Sequence, residues 1–209
     1  MNAVLEIEQL SKRFARRQVV KDVSLRLQSG EVLGVIGANG SGKSTLIKMI
    51  AGLLRPDSGA LRLTVDGAVI QSKQIHEHCG LVAPYLELYD EFTPVELLQL
   101  HADLHGQLYD ATRTHSLLEQ FQLQDVSSRP VRGFSSGMRQ RVAIVLALSL
   151  RPPLLLFDEP GVTLDEAGRS SLAQCISDAR HLGSILILAT NDERERELCD
   201  RVVCMTNNL

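Results

Sequence analysis

Cysteine is scarce and scattered: the 209 residues carry four, at Cys79, Cys175, Cys199 and Cys204, with no C-x-x-C pair and no metal-ligand spacing. That pattern excludes a cysteine-held metal site and predicts small core residues in a reducing compartment. Neither sign of charge dominates. Twenty-two Lys and Arg stand against twenty-five Asp and Glu, a formal net charge of −3. A strongly cationic nucleic-acid binder is thereby excluded, and no nucleic acid is expected as a partner. Long apolar runs are missing too. The longest, Val142 to Phe157, is broken by Arg151-Pro152-Pro153 and falls short of the roughly 20 residues a membrane helix needs. The opening segment MNAVLEIEQL pairs no cationic region with an apolar run, so no signal peptide is expected. The chain reads as cytoplasmic, and any membrane connection must run through a partner. With 44% hydrophobic and 22% charged residues, disorder is excluded. A chain of this length buries a sizeable core without disulfides, and residues 1–209 read as a single domain.

Apolar and polar residues alternate in Val4-Leu5-Glu6-Ile7-Glu8, in Val23-Ser24-Leu25-Arg26-Leu27 and in Leu61-Arg62-Leu63-Thr64-Val65. This is the pattern of half-buried strands and predicts a small antiparallel β layer. Three other runs are nearly continuous in apolar residues: Glu31–Ile36, Leu154–Phe157 and Ile185–Ala189. Strands of that kind are covered on both faces, as in a parallel sheet. Helical spacing fills the intervals, over Ser44–Ala51, Pro94–Gln120 with breaks near Gly106 and Asp110, Gly137–Leu150 and Asp165–Leu182. Strands alternating with helices predict an α/β core, with residues 85–135 as an inserted helical piece.

The strongest motif is Gly37-Ala38-Asn39-Gly40-Ser41-Gly42-Lys43-Ser44, which fits G-x-x-x-x-G-K-[ST] between a buried strand and a helix. Glycines let such a loop curl until its backbone N–H groups point at a phosphate, and the helix start adds its positive dipole end. Lys43 is then placed for the β- and γ-phosphates, Ser44 for Mg²⁺ and Thr45 for the α-phosphate. A second signal is Leu154-Leu155-Leu156-Phe157-Asp158-Glu159, an apolar strand ending in two acids at the rim where parallel sheets bind ligands. Asp158 can hold Mg²⁺, and Glu159 can take a proton from an attacking water.

Between the two motifs lies Phe134-Ser135-Ser136-Gly137-Met138-Arg139-Gln140-Arg141, at the start of an apolar helix. It resembles the Leu-Ser-Gly-Gly-Gln signature of the ATP-binding cassette (ABC) ATPases, with Ser135 and Gly137 matching. The resemblance extends over essentially the whole chain and implies a P-loop NTPase core that binds ATP and Mg²⁺. Gly37, Asn39, Gly40, Ser41, Gly42, Lys43, Ser44 and Thr45 would then hold the nucleotide. Phe14 takes the place of the family's adenine-stacking aromatic, and Thr163-Leu164-Asp165 resembles its D-loop. The resemblance further implies a sandwich in which Ser135 and Gly137 of one subunit meet nucleotide held by another, identical or related. It also implies a separate polytopic membrane subunit, contacted through Pro84–Thr93, that would hold the chain at the cytoplasmic face.

Two positions depart from the family pattern. Pro84 stands where a Gln is usual, and Asn191, in Ala189-Thr190-Asn191-Asp192, replaces the switch His. Asn can hydrogen-bond a phosphate but cannot carry a proton or positive charge. Catalysis therefore falls to Glu159 and Asn191, with slow basal turnover. The chain is most similar to short single-cassette exporters, including the heme-exporter type of cytochrome c maturation. A non-transport assembly factor and a nucleotide-gated regulator with weak hydrolysis are the alternatives. Smaller features are read as structural: His76-Glu77-His78 as a solvated strand edge, the mixed charges of Asp192–Glu197 as an exposed helix start, and Arg139 and Arg141 as partners of nearby acids.

Overall fold

A computed structural model describes residues 1–15 and 17–205, arranged as two sheets with helices packed on them. β1 (Ala3–Phe14), β2 (Arg17–Gln28), β4 (Ser58–Val65) and β5 (Ala68–Ile70) form an antiparallel sheet in the order β2-β1-β4-β5. β3 (Val32–Ile36), β6 (Cys79–Val82), β7 (Leu154–Asp158), β8 (Ile185–Ala189) and β9 (Arg201–Cys204) form a parallel sheet in the order β6-β7-β8-β3-β9. The helices are α1 (Lys43–Ile50), α2 (Pro94–Leu104), α3 (Ala111–Gln120), α4 (Ser136–Ser149), α5 (Glu166–His181) and α6 (Glu193–Arg196).

The continuous apolar strands are apolar because both faces are covered. Every residue of β7 and β8 is buried. Leu154, Leu156, Ile185 and Ile187 join a core shared with α1 and the antiparallel sheet. Leu155, Phe157, Leu186 and Leu188 face the opposite way, into a core built with α2 to α5. The period-2 geometry of a strand divides the two sets. Close approach of α4 to the sheet needs Gly80, where a Cβ would lie 2.1 Å from the Ala147 carbonyl oxygen. In the helical segment, Thr93 and Glu96 form a capping box at the start of α2, with Pro94 in its first turn. Leu97, Leu98, Leu117 and Leu118 then bury against α4 and its surroundings.

Because β7, β8 and β3 are adjacent and parallel, their C-terminal ends open on one edge. Chain segments 37–43, 158–159 and 190–191 all leave the sheet there.

Three sequence expectations are corrected. Of the four cysteines only Cys175 is buried; Cys79 and Cys199 are half-buried and Cys204 is exposed, because edge strand β9 has no neighbour on one side among the described residues. His76-Glu77-His78 belongs to a 3₁₀ turn, Ser72–His78, rather than a strand edge. The mixed-charge run is not wholly exposed, since α6 buries Glu195 to 5% exposure. Arg139 and Arg141 do pair with acids, Asp90 at 2.6 Å and Asp165 at 2.5 Å.

Candidate functional site

β3 hands the chain to a loop that turns on glycines, with φ of 151° at Gly37, 78° at Gly40 and 105° at Gly42. Such backbone is strained for any residue with a Cβ. Space adds a second constraint. A Cβ on Gly37 would lie 2.4 Å from the Met205 carbonyl oxygen, and one on Gly42 would lie 2.6 Å from that of Val19. The residue after β9 and strand β2 thus clamp the loop from two sides. Gly40 is different: a Cβ there would meet nothing within 4 Å among the described residues. Gly42 also precedes α1 without any side-chain cap. The first N–H groups of that helix are therefore left for an outside anion. Ser41, 3% exposed, has a hydroxyl with no partner among the described residues.

Lys43 is 5% exposed and reaches back over the loop to the Gly37 carbonyl, donating at 2.7 Å. Its ammonium lies 3.8 Å from Glu159 Oε1. Both ends of the Asn191 carboxamide are satisfied when the oxygen accepts from Lys43 Nζ at 3.0 Å and the nitrogen donates to Gly37 O at 2.6 Å. One cation therefore gathers the ends of β3, β7 and β8. Glu159 follows β7 in left-handed backbone, φ 52°, fixed by a hydrogen bond from its N–H to the Ala189 carbonyl at 2.8 Å.

Asp158 is 1% exposed and its Oδ2 has no partner among the described residues. Burial pushes its carboxyl above the ordinary range, opposed by a hydrogen bond from the Ser44 hydroxyl. An unpartnered buried carboxylate oxygen beside a hydroxyl is the hard-oxygen chemistry a Mg²⁺ ion takes. The residues therefore fit the ion. Among the described residues no group of three His, Cys, Asp or Glu side chains is placed to hold a metal, so other ligands would come from water and phosphate.

Asn39, Gly40, Gly42, Lys43, Ser44, Thr45, Asp158 and Glu159 line one cleft of about 310 Å³ together with Val19 and Pro84. Pro84, singled out for the side chain it lacks, does reach this cleft. Six expected residues are not among those lining it: Gly37, Ser41 and Asn191, and also Phe14, Ser135 and Gly137. Phe14 is 47% exposed at the end of β1, with the Lys12 ammonium 5.6 Å from its ring centre. Across the hairpin Arg17 comes nearer, donating to the Gly40 carbonyl at 3.5 Å. Ser135 and Gly137 lie at the N-terminus of α4, where the Ser135 hydroxyl accepts from the Met138 N–H at 3.2 Å. That turn is exposed. It packs on the segment after Glu159: Gln140 Nε2 donates to the Pro160 carbonyl at 2.8 Å, and a Cβ on Gly137 would lie 2.8 Å from Thr163 O. Val19, Arg17 and the buried Glu195 carried no sequence signal, since their placement depends on strand register and on packing across the sheet edge.

Comparison with known proteins agrees with this geometry. The family model described as ABC transporter matches residues 20–162, more than half of the chain. The ABC transporter ATP-binding protein NatA of Bacillus subtilis (strain 168) is 38% identical over 210 residues, covering 96% of this chain and 85% of that protein. An uncharacterized ABC transporter ATP-binding protein of the same organism, YdbJ, is 35% identical over 202 residues, but the chain spans only 65% of its length. The solved ATP-binding subunit of an ABC transporter superposes with a TM-score of 0.86 at 32% identity, covering 98% of this chain and 86% of that one. With a glycine loop, an acid-ended strand and a helix-capping signature all in place, the chain belongs to the ABC transporter family as an ATP-binding cassette.

Proposed function

We propose that the chain binds and hydrolyses ATP to drive a separate polytopic membrane subunit, with residues 1–209 acting as one nucleotide-binding domain and 85–135 as its helical arm. The observation that carries this reading is Lys43, whose ammonium reaches Gly37, Asn191 and Glu159 within 3.8 Å. A triphosphate would replace the Gly37 carbonyl and Glu159 as its partners. Gly37, Asn39, Gly40, Ser41, Gly42 and Thr45 hold phosphate through backbone and hydroxyl donors. Ser44 and Asp158 would hold Mg²⁺, which supplies charge neutralisation at the phosphate oxygens. Glu159 takes the proton of the attacking water as its oxygen bonds the γ-phosphorus and the β–γ bridging bond breaks, giving ADP and phosphate. Asn191 orients the γ-phosphate by hydrogen bonding alone, and Pro84 offers no ligand, so basal turnover is slow.

One copy supplies only part of the site, because Ser135 and Gly137 do not line their own cleft. A second copy brings its exposed Ser135 turn to the γ-phosphate, adding charge-assisted donors from the other side. The adenine would stack on Phe14 from the rim. Among the described residues no helix is long and apolar enough to cross a membrane. The exposed Tyr85, Leu86, Tyr89 and Phe92 form an apolar surface suited to a helix of the membrane subunit, which would hold the chain at the cytoplasmic face. Relatives named for linearmycin resistance and for sulfate/thiosulfate import match at 33% and 34% identity, and in this reading cargo choice would lie with the membrane subunit. The test is phosphate release from ATP: the chain should hydrolyse, and Lys43→Ala and Glu159→Gln should not. Equal rates in all three would refute the assignment.

A further inference from the structure

Glu195 is a carboxylate that the proposed reaction does not use, yet it is 5% exposed with no partner for Oε2 among the described residues. Burying such a group is costly, and an apolar side chain would serve packing better. Its surroundings explain its presence. Oε1 lies 2.2 Å from where a Cβ on Gly161 would be, so the carboxylate occupies the space that this glycine leaves. The Thr190 hydroxyl and the Gly161 N–H are the polar groups that act on it against burial, and Asp192 and Arg169 are the charged groups beside it. Arg169 is in turn engaged by Asp192 at 2.5 Å.

Gly161 stands two residues after Glu159, and the fully buried Thr190 stands one before Asn191. We propose that Glu195 is a positioning residue: it ties the turn carrying Glu159 to the strand end carrying Asn191, setting the distance between the two groups that face the γ-phosphate. Burial, the largest influence, holds its carboxyl above the ordinary range. The inference rests on the hydrolytic reading above. It places no part of Glu195 on the nucleotide itself.

The experiment is steady-state hydrolysis and ATP affinity for the unmodified chain, Glu195→Gln, Glu195→Ala, Gly161→Ala and the Glu195→Ala/Gly161→Ala double variant. Misplacing a reacting group by about 1 Å lowers a rate on the order of 10²-fold. Glu195→Ala should therefore lower kcat by about that factor with ATP affinity unchanged, whereas the near-isosteric Glu195→Gln keeps most of it. Gly161→Ala should lower kcat in the unmodified background and have no further effect in Glu195→Ala, where the obstructing carboxylate is gone. If Glu195→Ala does not fold, Gly161→Ala and Glu195→Gln still decide between high and low kcat. Unchanged kcat, a change confined to KM, or additive effects in the double variant would overturn the inference alone. An unmodified chain that releases no phosphate would overturn the hydrolytic reading and the inference with it.

Discussion

The three glycines of the phosphate loop should respond to alanine in a definite order. All have left-handed backbone, with φ of 151°, 78° and 105° at Gly37, Gly40 and Gly42, and alanine in such a conformation costs about 1–2 kcal/mol. At Gly40 that is the whole penalty, because the new methyl meets nothing within 4 Å among the described residues. At Gly42 the methyl would lie 2.6 Å from the Val19 carbonyl, and at Gly37 it would lie 2.4 Å from that of Met205. Backbone cannot rotate away as a side chain can, and overpacking of this kind adds about 1–3 kcal/mol. For a chain of this size about 1 kcal/mol moves Tm by roughly 2–4 °C. Gly40→Ala should then lower Tm by about 2–8 °C, and Gly37→Ala and Gly42→Ala by about 4–20 °C. Thermal unfolding with and without Mg·ATP separates fold from site. Gly40→Ala should also lose most of the nucleotide-induced rise in Tm, since Gly40 lines the cleft and the loop there must keep its left-handed turn to present its N–H groups to phosphate. Gly40→Ala as damaging to stability as the other two, or with the nucleotide effect intact, would refute the clamp geometry.

Other expectations concern single interactions. Lys43→Ala removes a charge-assisted hydrogen bond of about 1.5–3 kcal/mol, so ATP affinity should fall about 10- to 150-fold by titration; less than threefold would count against the loop's role. Gly80→Ala would place a methyl 2.1 Å from Ala147 O and 2.8 Å from Leu155 Cδ2, pushing α4 off the sheet; urea unfolding should show a loss of at least about 1–3 kcal/mol, and a neutral result would contradict that packing. Asp57 is held below the usual carboxylate range, first by the Lys12 hydrogen bond and then by the Arg13 N–H. The stability it lends is present above about pH 4 and lost as pH falls through its lowered folded value. Asp57→Asn should therefore lie below the unmodified chain at neutral pH and converge with it in acid, as urea midpoints between neutral pH and pH 2 would show; a constant gap would contradict the pairing.

The parts of the fold legible in sequence are those whose cause is local. β3, β7 and β8 read as covered strands because burial on both faces leaves no polar position, and the structure buries every residue of β7 and β8. The breaks at Gly106 and Asp110 separate α2 from α3, with Asp110 capping α3 through the Arg113 N–H. The glycine loop was legible for the same reason, since its conformation selects its residues. What depended on distant partners was not. Glu195 stands in a run of alternating charges that looks uniformly exposed, and only Gly161 and Thr190, brought in by the loops after β7 and β8, make its burial useful. Phe14 illustrates the converse. Its place in the order of motifs is legible along the chain, whereas its neighbours at the rim, Val19 lining the cleft and Arg17 on the Gly40 carbonyl, follow from the hairpin register.

The account turns on a nucleotide held jointly by the Lys43 loop of one copy and the Ser135 turn of another. Sedimentation of Glu159→Gln with ATP, with ADP and in a Ser135→Glu background measures this directly. A dimer with ATP, a monomer with ADP, and a monomer with ATP bound once Ser135→Glu is added are the predicted results. A Glu159→Gln chain that stays monomeric while saturated with ATP, or a dimer indifferent to Ser135→Glu, would contradict the account.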